Sequence, residues 1–314
     1  MILTVTPNTA LDVTYRVPAL LPHATHRVTE VTERSGGKGL NVARVLAALG
    51  HEVTVTGFTG GPTGRVVRER LTGVTDALVP CAAPTRRTLT VVDERTGQTT
   101  RFDEPGPVIT PAEWSAFQET YERLLAGADA VALCGSLPPG VPVGAYGVLV
   151  RTARAAGVPV LLDTGGEALR RAVAARPDLI RSNAEELAEL TGSHEPSRAT
   201  QDARRRGARS VVASLGAQGL IAATPEGRWH ATPPTRLPGT RAARRPGTPA
   251  GAGEAVSAGL LSGLVERLPW PEALARAAAL ATATALSPTA GEFDRAAYGD
   301  LLGRVAVTGE VTAA

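Results

Sequence analysis

Two glycine clusters at predicted helix starts carry residue types that could bind phosphate groups. The first is Ser35-Gly36-Gly37-Lys38-Gly39-Leu40-Asn41. Glycines let backbone N–H groups approach a ligand, and the dipole of the helix that follows favours anionic or oxygen-rich groups. It is not a Walker A loop, because no Ser or Thr follows Lys38 and the upstream glycine is missing. A plain strand-to-helix turn is the alternative, although three glycines exceed what a turn needs.

The second cluster, Gly251-Ala252-Gly253-Glu254, opens an alanine-rich helix. Small residues at a helix start form an anion hole for a transferring phosphoryl group, and Glu254 could accept a proton from an attacking hydroxyl. The dinucleotide fingerprint does not fit, since the third glycine is out of register at Gly259. Ordinary helix capping by an acid in the first turn is the alternative interpretation.

An amide and a carboxylate three residues apart, Asn183 and Glu186, follow a predicted strand. Together they could hold hydrated Mg²⁺, which prefers oxygen ligands and retains water. An N-cap Asn with a capping-box Glu explains the same spacing. The turn from Ser214 to Gly219 suits a nucleotide or a simple hairpin. The five histidines lack metal-ligand spacing, so a structural zinc site is unsupported.

Lys38 is the single lysine among 33 lysines and arginines. Because every other cation has become Arg, the residue that stays Lys is predicted to occupy a position where a forked guanidinium would not fit. An accident of composition is the alternative.

Composition restricts the class of protein. A net charge of +3 is too small to indicate a nucleic-acid partner. Cys81 and Cys134 are predicted to be free thiols in a reducing compartment. The chain opens on a strand-like Ile2–Thr6 rather than a charged leader, and no apolar run approaches the ~20 residues of a membrane span. We expect a cytoplasmic protein with no membrane partner.

Strand-like and helix-like segments alternate along the chain, which predicts a mostly parallel sheet with helices on both faces. The predicted strands are Ile2–Thr6, Val53–Phe58, Ala130–Leu133, Val158–Leu162, Leu179–Arg181 and Ser210–Ser214. The predicted helices are Leu40–Leu49, Arg65–Leu71, Ala112–Leu125, Val143–Ala156, Ala184–Thr191, Gly253–Val265 and Pro271–Ala285.

Two segments interrupt this alternation, at about 12–34 and 86–104. The second reads as a hairpin that turns at Glu94-Arg95-Thr96-Gly97. Both predict a small antiparallel sheet that projects as a lid over the carboxyl edge of the main sheet, where ligands bind in open α/β folds. Its free edges and apolar faces predict a homodimer through the lid. The segment Thr232–Ala250 is predicted to be an active-site loop or disordered.

In their order along the chain, these segments resemble the PfkB (ribokinase-like) carbohydrate kinases, in the branch of 1-phosphofructokinase and tagatose-6-phosphate kinase. The matching motifs are Thr6-Pro7-Asn8-Thr9-Ala10-Leu11-Asp12, Gly36–Ala43, Thr85-Arg86, Glu104-Pro105-Gly106-Pro107, Gly135–Gly140, Asp163-Thr164 before Gly166-Glu167-Ala168-Leu169, Asn183…Glu186 and Gly251-Ala252-Gly253. The resemblance implies one α/β domain over 1–314, a three-layer sandwich with a β lid. It also implies ATP, Mg²⁺ and a ketohexose phosphate substrate, fructose 1-phosphate ahead of tagatose 6-phosphate or fructose 6-phosphate.

The resemblance also implies residue roles. The sugar hydroxyls would be held by Asp12, Gly37, Lys38 and Asn41, and the sugar's phosphate by Arg27 and Arg86. Mg²⁺ would be organised through water by Asn183 and Glu186. The nucleotide would be lined by Ser214, Gly216 and Gly219. The anion hole would be formed by Gly251, Ala252 and Gly253.

Several positions depart from the family pattern. Glu254 stands where the family has its catalytic Asp. The departures elsewhere are Pro249-Ala250 for Thr-Val, Arg181-Ser182 for Lys-Pro, and Thr88 and Asp103 for two Asn. One extra methylene moves a carboxylate by about 1 Å, a misplacement that can cost roughly a hundredfold in rate. Three outcomes stay open: a compensating backbone shift, a slow enzyme, or a non-catalytic sensor of sugar phosphate or nucleotide. A kinase of another sugar or nucleoside is a further alternative.

Overall fold

The computed structural model describes residues 1–234, 251–287 and 289–311. The predicted loop Thr232–Ala250, with Pro249 and Ala250, therefore lies almost wholly outside the described residues. The strands are β1 (Ile2–Thr6), β2 (Ala10–Val17), β3 (Glu30–Gly36), β4 (Val53–Thr59), β5 (Thr75–Asp76), β6 (Val79–Pro80), β7 (Arg86–Asp93), β8 (Thr99–Asp103), β9 (Ala130–Cys134), β10 (Val160–Asp163), β11 (Leu179–Asn183), β12 (Ser210–Ser214), β13 (Leu220–Ala223), β14 (Gly227–Thr232) and β15 (Ala306–Val311).

The helices correspond closely to the predicted segments, with three additions. They are α1 (Lys38–Ala48), α2 (Gly61–Glu69), α3 (Pro111–Leu125), α4 (Ala145–Ala155), α5 (Gly166–Ala172), α6 (Ala184–Thr191), α7 (Pro196–Arg205), α8 (Ala252–Val265), α9 (Trp270–Ala285) and α10 (Arg295–Leu302). The helices α5, α7 and α10 were not in the predicted set. The helices α5 and α10 are short, and the buried face of α7 consists of the small residues Ala199, Thr200 and Ala203 rather than large apolar ones.

The central sheet has the order β15-β14-β13-β12-β11-β10-β9-β1-β4-β5, and β6 also pairs with β4. From β12 through β5 the neighbours are parallel, whereas β13, β14 and β15 add an antiparallel end. The prediction of a mostly parallel sheet is confirmed. The six predicted strands all lie in the parallel part, so their carboxyl ends share one edge.

Helices cover both faces of the central sheet. On one face, α3 to α7 pack in sequence over a core that includes Phe117, Tyr146 and Leu187. On the other face, α1, α8 and α9 pack together over a second core that includes Leu46 and Leu260. This burial on both faces explains why the strands are continuous apolar runs.

The smaller sheet has the order β3-β2-β7-β8, and we call it the lid. It contains the predicted hairpin, since β7 and β8 pair antiparallel, but the lid is a mixed sheet rather than the antiparallel one predicted, because β2 and β7 pair parallel. Thr88 lies opposite both Asp12 and Asp103, so these side chains share one face of the lid. The other face carries apolar residues, of which Val31 is 57% exposed and Phe102 is 55% exposed.

Both cysteines are free and buried, as predicted. Burial raises the pKa of the Cys81 thiol to about 11, so this thiol is unreactive. No helix in the described part of the chain is long and apolar enough to cross a membrane.

Candidate active site

A cavity of about 1000 Å³ lies between the polar face of the lid and the carboxyl edge of the central sheet. The lid contributes Asp12, Thr88 and Arg86, and two helix starts contribute Lys38 and Glu254. Most residues predicted to hold the sugar or the phosphoryl group therefore meet in one place. The cavity lies at the sheet edge where the order of the strands along the chain reverses beside β1, the usual ligand position in open α/β folds.

A buried carboxylate at the end of β10 organises the floor of this cavity. Asp163 is 0% exposed, and its Oδ1 accepts a hydrogen bond from Lys38 Nζ at 3.0 Å. Its Oδ2 accepts from Ser257 Oγ at 2.7 Å and lies 3.6 Å from Arg181 Nη1. Asp163 is thus joined to α1, α8 and β11, and it holds the ammonium of Lys38 in a fixed position.

The charges of Asp163, Lys38 and Arg181 influence the pKa values of Asp163 and Lys38. Burial alone would raise the pKa of Asp163, but the Arg181 guanidinium and the Lys38 ammonium hold it below its usual value. Burial likewise opposes the charge of Lys38, yet the Asp163 carboxylate outweighs it and raises the pKa of Lys38. Asp163 and Lys38 are therefore both charged at neutral pH.

Glu254 lies in the first turn of α8 and lines the cavity. Burial raises the pKa of its carboxyl group, and the negative charge of Asp163 raises it further. A carboxylate whose proton affinity is increased in this way is suited to accept a proton from a hydroxyl group.

The start of α8 offers backbone donors beside Glu254. Gly251, at φ 99°, precedes the helix, and no described side chain caps it. A Cβ on Gly251 would lie 2.9 Å from the Ala290 Cα, and one on Gly253 would lie 2.5 Å from Arg181 Nη2. The backbone therefore favours glycine at 251, whereas a side chain at 253 would displace the Arg181 guanidinium. The unpaired N–H groups of this turn are suited to an anion.

The start of α1 is also uncapped by any described side chain, with Gly37 at φ 110°. On the lid, Thr88 Oγ1 donates a hydrogen bond to Asp12 Oδ1, and burial raises the pKa of Asp12. A Cβ on Gly36 would overlap the Asp12 carboxyl group, so a larger residue there would displace this side chain. Asn41 lines the same wall and is 6% exposed.

The two arginines predicted to hold the sugar's phosphate have different positions. Arg86 lines the cavity and donates to the Glu104 carbonyl at 3.3 Å and to the Asn8 carbonyl at 3.4 Å. Arg27 lies in the exposed segment between β2 and β3 and does not line the cavity of its own chain. Arg101, which the sequence analysis did not single out, does line it, and its Nε lies 2.7 Å from Asp103 Oδ1.

Asn183 and Glu186 form a capping box at the start of α6. Asn183 Oδ1 accepts from the Glu186 N–H at 2.9 Å, and Glu186 Oε2 accepts from the Asn183 N–H at 3.1 Å. The capping interpretation is therefore satisfied. Glu186 Oε1 has no hydrogen-bond partner among the described residues, and it faces Gly165 at the cavity wall. One free carboxylate oxygen fits a metal ion that is held mainly through water. Among the described residues, no group of three or more His, Cys, Asp or Glu side chains could hold a metal ion directly.

Of the predicted nucleotide residues, Ser214 ends β12, and Gly216 and Gly219 lie in the turn between β12 and β13, outside the cavity lining. Gly216 and Gly219 have φ of 59° and 91°, and the Leu215 N–H donates to the Gly219 carbonyl at 2.8 Å. Ser214 lies outside the cavity lining, but its Oγ accepts from Arg181 Nη2 at 3.1 Å. Arg181 therefore connects this turn to Asp163.

Four cavity-lining residues, Thr6, Asn8, Arg86 and Arg181, have a buried polar side-chain atom without a partner in the described part of the chain. Such atoms are rare in proteins, and a polar ligand or water in the cavity would satisfy these four. A parallel sheet covered by a lid, an uncapped helix start beside a carboxylate, and the arginines Arg86 and Arg101 on the cavity wall are suited to a phosphorylated ligand.

Comparison with known proteins identifies the family. The model of the pfkB family carbohydrate kinases matches residues 5–296. A 1-phosphofructokinase of Rhodobacter capsulatus is 40% identical over 228 residues, which are 70% of this chain and 72% of that protein. The structure of Escherichia coli phosphofructokinase-2 in complex with fructose-6-phosphate is 27% identical, with a TM-score of 0.85 over 96% of this chain and 98% of that one. A tetrameric inhibited form of the same enzyme has a TM-score of 0.86 at 28% identity, with the same coverage of both chains.

The chain belongs to the pfkB family of carbohydrate kinases. Within that family it is a phosphofructokinase-like kinase, and the fold and family predicted from its motifs are confirmed.

Proposed function

We propose that this chain is an ATP- and Mg²⁺-dependent kinase of a ketohexose phosphate, with fructose 1-phosphate as the first candidate. One observation carries the proposal. The Glu254 carboxylate and the lid cations Arg86 and Arg101 line the same cavity. A substrate with a hydroxyl group at one end and a phosphate at the other would meet a base and cations at once. The 1-phosphofructokinase relative supports the choice of sugar.

The residues would divide the reaction as follows. Glu254 accepts the proton of the substrate hydroxyl, whose oxygen attacks the γ-phosphorus of ATP while the bond to the bridging oxygen breaks and ADP leaves. The N–H groups of Gly251, Ala252 and Gly253 stabilise the charge on the transferring phosphoryl oxygens. The cations Lys38 and Arg181 lie beside the same carboxylate, Asp163, and add positive charge to this end of the cavity.

The sugar end would be held by the lid. Asp12 accepts hydrogen bonds from sugar hydroxyls, and Arg86 and Arg101 pair with the phosphate. Arg27 would reach a phosphate only from a partner subunit in a dimer joined through the lids. When bound through Asn183 and Glu186, Mg²⁺ would neutralise charge on the ATP phosphates. Ser214, Gly216 and Gly219 would contact the nucleotide. The location of the protein in the cytoplasm stays a prediction.

The test is a coupled ADP-release assay with fructose 1-phosphate, fructose 6-phosphate and tagatose 6-phosphate. We expect the highest kcat/KM with fructose 1-phosphate, with a reaction that contains no protein as the background control. No turnover above that control on any of the three, or on the free sugars, would contradict the proposal.

A non-catalytic sensor of sugar phosphate or nucleotide is the second candidate. The observation that favours it is Glu254 itself, because the family's base is an Asp. Titration calorimetry separates the two functions: tight binding of a sugar phosphate with no ADP formed in the presence of ATP and Mg²⁺ would indicate a sensor.

A further inference from the structure

A guanidinium in α1 contacts the amide of Asn41. Arg44 follows Asn41 by three residues, so the two side chains are neighbours on the helix surface. Arg44 Nη1 donates to Asn41 Oδ1 at 2.7 Å, and Arg44 Nη2 donates to the Ser35 carbonyl at the end of β3. One side chain thus connects the lid, the first helix and a residue of the cavity wall.

The contact decides which way the amide points. A guanidinium has only donors, so the amide atom that faces Arg44 must be the oxygen. The amide nitrogen of Asn41 is then the atom left for a ligand in the cavity that Asn41 lines. With Arg44 in place, Asn41 can only donate toward the cavity.

The surrounding backbone keeps this contact short. Gly291 has φ 78°, and a Cβ there would lie 3.0 Å from Arg44 Nη1 and 3.1 Å from Asn41 Oδ1. Gly291 follows Ala290, which packs against Gly251 at the start of α8. The pair is therefore enclosed between the lid and the anion-binding helix start, which leaves little room for the amide to turn over.

We infer that Arg44 is a positioning residue for the sugar phosphate: by holding the Asn41 oxygen, it presents the Asn41 N–H group to an acceptor oxygen of the substrate. The inference rests on the proposed function and deepens it. It assigns the substrate group at Asn41 as a hydrogen-bond acceptor, a phosphate or hydroxyl oxygen, and it gives Arg44 an effect on substrate binding without contact to the substrate.

A double-mutant cycle tests this coupling, with KM for fructose 1-phosphate, KM for ATP and kcat measured for each variant. Loss of one hydrogen bond to a charged group costs about tenfold in affinity, so we expect Arg44→Met and Asn41→Ala each to raise the sugar-phosphate KM about 10-fold. The double variant should be no worse than either alone, because both remove the same interaction. KM for ATP should change little, and Arg44→Lys should restore part of the loss.

Two controls keep the outcome decisive. Asn41→Asp retains an acceptor for Arg44, so it folds, but it has no donor; its KM for the sugar phosphate should rise as in Asn41→Ala. Arg65→Met changes an exposed arginine of α2 and should leave KM unchanged. Independent, multiplicative effects of Arg44 and Asn41, or an unchanged KM in Asn41→Asp, would overturn the inference. A parent protein that binds no sugar phosphate by calorimetry would instead overturn the proposed function, and this inference with it.

Discussion

Lys38 Nζ and Asp163 Oδ1 form a hydrogen-bonded ion pair at 3.0 Å, although 125 residues separate them in the sequence. The carboxylate is fully buried, whereas about a third of the lysine side chain, 34%, is exposed to the cavity. Lys38 therefore uses one donor for a fixed partner and retains others for a ligand. This arrangement agrees with the prediction that Lys38 has a role for which Arg is unsuited, and that role stays a prediction.

We expect Lys38→Arg to raise the KM for the sugar phosphate about tenfold or more, since a planar guanidinium beside Arg181 cannot keep the same contact with Asp163. The charge is retained and Asp163 keeps Arg181 and Ser257, so the variant should stay folded, with a lower melting temperature because the Lys38–Asp163 hydrogen bond is lost. Steady-state kinetics and thermal melting measure both effects. The reverse exchange Arg65→Lys on the exposed face of α2 is the matched control, and an unchanged KM in Lys38→Arg would make the lone lysine an accident of composition.

The Glu254→Gln substitution should lower activity and raise thermal stability. Removal of the proton acceptor should lower kcat by about 10²–10⁴, the usual contribution of a general base. A raised carboxyl pKa means that the ionised form is disfavoured in the folded protein, so the variant should melt at a higher temperature than the parent at neutral pH. The difference should vanish below the pKa of an unfolded glutamate, about 4.3. A variant with unchanged kcat would leave Glu254 as a helix cap.

The effects of substitutions at Glu254 and Arg181 on activity should depend on each other. Glu254 is longer than the family's Asp, and Arg181 is larger than the family's Lys. Gly253 packs directly against the Arg181 guanidinium, so the cation limits how close the start of α8 comes to the cavity floor. We expect Glu254→Asp alone to be slower than the parent, and Arg181→Lys combined with Glu254→Asp to recover activity. A faster Glu254→Asp variant would show that Glu is simply a poor fit.

The pH profile of kcat/KM should reflect the raised pKa of the Glu254 carboxyl group. The base acts in its ionised form, so activity should fall as the pH decreases through a pKa above that of an ordinary glutamate. Asp163→Asn removes the nearby negative charge, which should move this acidic limb to lower pH as well as reduce the rate. A limb that stays in place in Asp163→Asn would exclude electrostatic coupling between the two carboxyl groups.

The lid should join two copies of the chain. Phe102 and Val31 expose apolar surface on the face of the lid turned away from the cavity. Light scattering at micromolar concentration should give a dimer or a tetramer built from dimers, and Phe102→Glu should give a monomer. Val108→Glu, at an exposed residue between the lid and α3, is the control. A monomeric parent protein would refute the lid interface.

The sequence predicted those parts of the site that follow local rules. The glycines at Gly37 and Gly251 and the acid at Glu254 belong to helix starts, which short motifs reveal. The role of Asp163 could not be predicted, because its partners come from α1, β11 and α8 and meet only in the folded chain. A polar residue at the end of a buried strand was the available signal. The antiparallel strands β13 to β15 were missed because short amphipathic segments resemble loops.

The position of Lys38 also allows ligand binding in the cavity to be detected by chemical modification of this one side chain. Every ε-amine of the chain lies at the wall of one cavity, because there is only one. An amine-directed acylating reagent can therefore modify this single side chain, at a pH high enough to deprotonate Lys38, whose pKa the Asp163 carboxylate raises. Occupancy of the cavity could then be counted by mass spectrometry as protection of one peptide, without a tag or a turnover assay.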